Sequence, residues 1–297
     1  MPVLTVFLPF TSGLTARRRN RRGCGTDAMA TTDSQQAART HVHNVFEGNA
    51  MLTLVVAAAL VASGTAAAPE PATVARVEAG RLVVTGAPSR ASQIHVSGTI
   101  VSDAGTMRPG TRCTRLSASR VQCAQVQKVV LYLGNRDDTV LYDSAVPTEQ
   151  HGGGGDDSLH GGSGADVLQG GEGDDVLSGG LGPDQLFGGD GDDVLDEPQA
   201  DAGGNFLQGG YGNDKIDGAK LNMRDRADFS DHTEGMTIDL AAGTASRPGE
   251  FDEVKNVQDV HGTQGDDVLS GNAWPNKMYG LSGNDTCTQG PLDMCVQ

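Results

Sequence analysis

Residues 152–217 read GGGGDDSLH (152–160), GGSGADVLQ (161–169), GGEGDDVLS (170–178), GGLGPDQLF (179–187) and GGDGDDVLD (188–196), then, past Glu197–Gln199, ADAGGNFLQ (200–208) and GGYGNDKID (209–217). One nine-residue pattern runs through them: G-G-x-G-x-D-x-U-x, with U a large aliphatic residue. Glycine at positions 1, 2 and 4 permits positive φ and close approach of neighbouring backbones, so the six turn residues carry little strain. The last three residues form a short strand, and alternation sends its middle side chain to one face. That predicts Leu159, Leu168, Leu177, Leu186, Leu195, Leu207 and Ile216 inside. Two nonapeptides then make one coil with a turn on each side. Stacked coils lie about 4.8 Å apart, as strands do in a sheet.

In such a stack the aspartate at position 6 lies beside that of the repeat two further on. The pairs are Asp157 with Asp175, Asp166 with Asp184, and Asp175 with Asp193. Two carboxylates plus inward-tilted backbone carbonyls make an all-oxygen cage, which suits a hard cation with six to eight ligands and favours Ca²⁺ over Zn²⁺. The candidate ligands are Asp157, Asp166, Asp175, Asp184, Asp193, Asn205 and Asp214. Residues 152–217 carry 15 Asp or Glu against the single Lys215. Facing carboxylates at that density repel without a counter-ion. A disordered acidic linker is the competing reading. The ninefold return of the aliphatic residue and the fixed phase of the acids argue against it when calcium is present. Without calcium, one Leu per nine residues cannot offset the ordering entropy, and disorder is expected.

This nonapeptide resembles the calcium-binding repeat of the repeats-in-toxin (hemolysin-type) family. The resemblance implies a parallel β-roll that binds Ca²⁺. The pattern extends beyond the clean copies. Gly134 to Leu141 is a worn turn with Asp138 at the aspartate position and Val140 facing inward. GTQGDDVLS (262–270), GNAWPNKMY (271–279) and GLSGNDTCT (280–288) resume it, adding Asp267 and Asp285 as ligands and Leu269, Met278 and Cys287 as inward residues. The position-5 acids Asp156, Asp174, Asp192 and Asp266, with Asp138, form a second rank, and the position-5 acids either tune affinity or only face water.

The remaining segments frame this array. Leu52 to Ala62 is an apolar run followed by small residues ending at Ala68, which reads as a secretory signal peptide within a leader of 1–68. The run is too short to span a bilayer, which needs about 20 residues. An uncleaved anchor is the alternative. The long stretch before the run points to a true start at Met29, and the distance of the basic cluster Arg17–Arg22 argues against a twin-arginine or nuclear signal. Residues 69–133 read as a small β cap, with strands near 74–77, 81–84, 92–96 and 126–133. Residues 134–217 read as the calcium-binding roll, 218–261 (strands near 226–229, 236–240 and 254–260) resemble a family insertion in which wider coils without metal continue the stack, and 262–297 read as terminal repeats with a C-terminal cap. Beyond the leader, four cysteines remain, an even number suited to an oxidising compartment. Local pairing predicts Cys113–Cys123 and Cys287–Cys295, the second stapling the open end, although four cysteines allow three pairings. Neither pair has zinc-site spacing.

The fold expected is thus all-β: a parallel β-roll or β-helix solenoid with a small N-terminal β cap and a disulfide-stapled C-terminal end. A net charge of −16 argues against a nucleic-acid partner, which requires a basic face. No catalytic motif survives inspection. There is no H-E-x-x-H and no phosphate-binding glycine loop, and G-x-S-x-G fails after Ser163 and Ser282, where Ala165 and Asn284 replace the last glycine. His151 and His160 read as surface residues. The expectation is a secreted, non-enzymatic calcium-binding protein without stable membrane insertion after cleavage. An adhesion or cell-envelope scaffold built on the same roll, and a small hydrolase in the N-terminal segment, are the alternatives.

Overall fold

The structure, a computed structural model, describes residues 72–198, 204–218, 224–288, 290 and 293–296. The leader and its signal peptide lie outside these residues. Every regular element among the described residues is a strand.

The repeats fold as their period demands. Strands β1 (Thr73–Glu78) to β7 come first: β2 (Arg81–Thr85), β3 (Gln93–Ser97), β4 (Ile100–Asp103), β5 (Met107–Pro109), β6 (Cys113–Arg115) and β7 (Arg120–Cys123). Then β8 (Lys128–Gly134), β9 (Thr139–Asp143), β10 (Thr148–Gly154), β11 (Ser158–His160), β12 (Val167–Glu172), β13 (Val176–Ser178), β14 (Gln185–Asp190), β15 (Val194–Asp196), β16 (Phe206–Tyr211) and β17 (Lys215–Asp217) alternate between two sheets. Even-numbered strands from β8 to β16 pair in parallel in one sheet, and odd-numbered strands from β9 to β17 pair in parallel in the other. Register advances by whole coils: Leu159 lies opposite Leu177, Leu177 opposite Leu195, and Leu195 opposite Ile216. All seven aliphatic residues predicted inside are buried in one continuous core. One core slot is polar. Gln150 sits between Leu131 and Leu168 and donates its Nε2 to the His160 carbonyl.

Glycine at position 2 is required by contact as well as by conformation. Gly171 has φ 127°, and a Cβ there would lie 2.2 Å from the Gly153 carbonyl oxygen. Only a bare Cα lets consecutive turns stack this closely.

Strands β2 and β3 extend the two sheets in parallel with β8 and β9, while β1 and the β3–β4–β7–β6 meander close that end with antiparallel pairs. Strands β4 to β7 were not foreseen in the sequence. Cys113 and Cys123 face each other across β6 and β7 and are bridged.

Within the insertion one sheet continues the parallel stack, while the other departs from regular coiling. It contains β18 (Arg226–Asp228), β19 (Thr237–Asp239), β20 (Thr244–Arg247), β21 (Glu250–Lys255) and β22 (Asp259–His261). Strands β19, β20 and β21 form an antiparallel meander, with β21 running parallel to β17. The stretch 254–260 is not one strand, because Asn256 turns the chain at φ 54°, a left-handed conformation that asparagine tolerates. Parallel coiling then resumes through β23 (Val268–Ser270), β24 (Lys277–Tyr279), β25 (Thr286–Thr288) and β26 (Met294–Val296). Leu269 and Met278 are fully buried. Cys287 is only half-buried against the core, because less chain covers the last coil. It is bridged to Cys295.

Candidate metal centre

Stacking brings the position-6 residues into two columns, one on each edge of the roll. On the edge leading into the odd-numbered strands, the backbone N–H of each column residue donates to Oδ1 of the next. Asp138 donates to Asp157 at 2.7 Å, Asp157 to Asp175 at 2.7 Å, Asp175 to Asp193 at 2.8 Å and Asp193 to Asp214 at 2.9 Å. On the other edge Thr148 donates to Asp166, Asp166 to Asp184, and Asp184 to Asn205, at 2.7–2.9 Å. In the terminal repeats Asp267 donates to Asp285 at 3.0 Å. Asp138, Asp157, Asp166, Asp175, Asp184, Asp193, Asn205, Asp214 and Asp267 are each at most 3% exposed; Asp285 is half-buried.

One oxygen of each such carboxylate is thus spent on a backbone N–H; in Asp267 the second is spent as well, accepting from Thr263 N–H. The other, Oδ2, is buried and has no hydrogen-bond partner in Asp138, Asp157, Asp166, Asp175 and Asp193. The Oδ2 oxygens of Asp157, Asp166, Asp175 and Asp193 point to the glycine corner. A Cβ on Gly152 would lie 2.1 Å from Asp157 Oδ2 and 2.7 Å from the Gly170 carbonyl oxygen of the next coil. On Gly188 it would lie 2.2 Å from Asp193 Oδ2 and 2.3 Å from the Gly209 carbonyl oxygen. Each corner therefore gathers a carboxylate oxygen and a carbonyl oxygen from successive coils around a space kept clear by the missing side chain.

Burial makes these charges costly. It pushes Asp157 and Asp166 up to about 7, Asp175 and Asp214 up to about 6, and Asp193 up to about 8. Neighbouring column carboxylates add to the rise at Asp157 and Asp193. Asp138 is raised as well, again chiefly by burial. A buried anion with a spare lone pair and no positive neighbour needs a cation or a proton. Among the described residues, no group of three or more His, Cys, Asp or Glu side chains forms a ready metal cage. An ion in these corners would take backbone carbonyls as well, a donor set of hard oxygens that suits Ca²⁺.

The second-rank acids do something different. Asp156, Asp174, Asp192 and Asp266 are exposed and form a surface ladder of opposite sense. Asp174 N–H donates back to Asp156, Asp192 back to Asp174, Asn213 back to Asp192 and Asn284 back to Asp266, at 2.8–3.0 Å. His151 stacks on Tyr132 and hydrogen-bonds Gln169 and Glu149.

Four column residues escaped the nine-residue pattern. Asn205 N–H donates to Asp225 and Asp225 N–H to Gln258; Asp214 N–H donates to Asp252; Asn276 N–H donates to Asp293. Their separations in sequence range from 17 to 38 residues, so no fixed period finds them. A shorter signal marks two of the four: Asp252-Glu253-Val254 keeps the D-x-U tail of the repeat and Asp225-Arg226-Ala227 keeps it with a small apolar residue, and Val254 and Ala227 are buried in the core. Glu197 also belongs here. It is 2% exposed, and a Cβ on Gly179 would lie 2.3 Å from Glu197 Oε1 and 2.5 Å from Asp184 Oδ2. It brings a second carboxylate to the corner whose next column residue is the neutral Asn205.

Fold and columns together define a parallel β-roll whose coils meet through buried, facing carboxylates. Residues 151–186, 169–196, 199–220 and 261–288 each match the RTX calcium-binding nonapeptide repeat, so the repeat-bearing part of the chain is an RTX calcium-binding array. A comparison with curated proteins gave no match.

Proposed function

We propose that this chain is an exported protein whose roll takes up Ca²⁺ between successive coils and folds as it does so. The ions sit at the glycine corners, held by Asp157, Asp166, Asp175, Asp184, Asp193 and Asp214, and by Asp267 and Asp285 in the terminal repeats. The observation that carries the reading is the row of buried Oδ2 atoms without hydrogen-bond partners. The binding energy is then folding energy, because the corners exist only when coils stack. Extracellular calcium modules bind at about 10⁻⁴ to 10⁻³ M, so the chain would remain loose at cytosolic calcium and close outside. Export is supported by the apolar run at 52–62 and by two disulfides at opposite ends of the described fold. The role is binding and structural rather than catalytic, since the buried acids repeat coil after coil instead of converging once.

Circular dichroism of the purified chain with calcium and with chelator tests the reading. The β signal is expected to appear with calcium and collapse without it. Equal signal in both solutions overturns it.

A further inference from the structure

We infer that the insertion completes one more calcium site, between Asp214 and Asp252, outside the repeats themselves. The matched repeat segments stop at 220 and resume at 261, so Asp252 lies in neither. Its hydrogen bonding and burial nevertheless copy those of a column residue in the repeats. Asp214 N–H donates to Asp252 Oδ1 at 3.0 Å, as Asp193 N–H donates to Asp214 Oδ1 at 2.9 Å. Asp252 is 1% exposed, and its Oδ2 is buried with no hydrogen-bond partner. The corner beside it is kept clear as well: a Cβ on Gly209 would lie 2.1 Å from Asp214 Oδ2. Burial drives Asp252 up to about 7, with Asp214 and Glu250 adding to the rise.

The insertion does bring cations of its own, but they are committed elsewhere. His232, fully buried, places Nδ1 2.8 Å from Asp231 and Nε2 2.7 Å from Glu250 Oε1. Arg247 holds Glu250 Oε2 at 2.6 Å and reaches Glu234 at 3.8 Å. Both oxygens of Glu250 are thereby taken. The His232 charge still favours the ionised forms of Asp214 and Asp252, but among the described residues no side-chain cation forms an ion pair with either, and the two carboxylates face one another across a coil boundary. A divalent ion bound by these two acids balances them and fastens the antiparallel meander to the last regular coil. This inference rests on the proposed function, and its test is arranged so that the two can fail separately.

Calcium is titrated calorimetrically into the full chain with its disulfides intact, into Asp252→Asn and into Glu253→Gln. Asparagine keeps an oxygen for the Asp214 N–H, so the variant removes charge rather than the hydrogen bond. Asp252→Asn is expected to bind one equivalent fewer than the unaltered chain, and Glu253→Gln, on the outer face of the same strand, the same number. An unchanged number in Asp252→Asn overturns the inference. No binding by the unaltered chain overturns the proposed function instead. Should Asp252→Asn fail to reach the full β signal in calcium, anomalous scattering from calcium-grown crystals of the unaltered chain decides. A peak between Asp214 and Asp252 supports the site; peaks between Asp175 and Asp193 without one here overturn it.

Discussion

On one edge of the roll six successive column slots read Asp138, Asp157, Asp175, Asp193, Asp214 and Asp252; on the other they read Thr148, Asp166, Asp184, Asn205, Asp225 and Gln258. After Thr148, which only donates its own N–H, both edges use the slot in the same way, as the acceptor for a buried backbone N–H. An amide oxygen fills that role as well as a carboxylate does. The difference lies in what remains. The first edge accumulates charge at every step, and like charges in a poorly solvated setting repel strongly. On the second edge Asp225 has neutral neighbours on both sides, and Asp166 with Asp184 is the single adjacent acid pair within 148–258. The first edge therefore calls for cations or protons to balance it, whereas the second can be held largely by hydrogen bonds. Identical backbone geometry thus serves two electrostatic regimes.

The largest test of that contrast removes one acid from the middle of the charged edge. Asp175→Asn removes a carboxylate that the proposed function places at two successive corners. It should raise the calcium concentration at half-folding about tenfold, equivalent to about 1.4 kcal/mol. A dichroism titration reads this directly, and a shift below twofold would erase the distinction between the edges. Acid comes next. Burial raises the carboxyls of Asp157, Asp166, Asp175, Asp193 and Asp214 to about 6 to 8 in the fold, above their ordinary value of 3.8. Raised folded values mean that the ion-free fold binds protons more tightly than the open chain. Its stability is therefore greatest below about pH 4 and falls as pH rises through 6 to 8. In chelator, more β signal is expected at pH 5 than at pH 8; a flat or rising profile contradicts it.

The contrast can also be reduced by design. Asn205→Asp places a carboxylate between Asp184 and Asp225 and makes the second edge resemble the first. At sub-saturating calcium the variant should melt at lower temperature, while saturating calcium restores the unaltered midpoint, as scanning calorimetry would record. Equal loss at low and at saturating calcium would mean a packing fault instead. The smallest effect is expected from Glu197→Gln. Glu197 supplies charge to a corner of the neutral-leaning edge, so the calcium midpoint should move about twofold. No movement would assign its carboxylate a structural part only.

Much of this was legible in the sequence, for a specific reason. Where the repeat is clean, the period, the inward residue and the column residue are locked together, and the Leu168–Leu186 and Asp166–Asp184 pairs follow from counting eighteen residues. Counting fails where the coil length changes. Asp252 joins the column across 38 residues because a meander, not a turn, lies between. The three-residue tail survives there, since a strand must still present an acceptor at its entry and an apolar side chain one step inside. The glycine corner does not survive, because β21 enters as an extended strand. The N-terminal β4–β7 region was harder to read, as short antiparallel strands held by a disulfide need little periodicity.

The whole-coil register has a further consequence on the outer surface. On the sheet built from even-numbered strands, Tyr132, His151, Gln169, Phe187 and Gln208 fall in single file. None of them is a corner glycine, a column acid or a core residue. The spiral thus carries a ruled margin at constant pitch, where evolution can write and erase one line at a time while the frame beneath stays untouched.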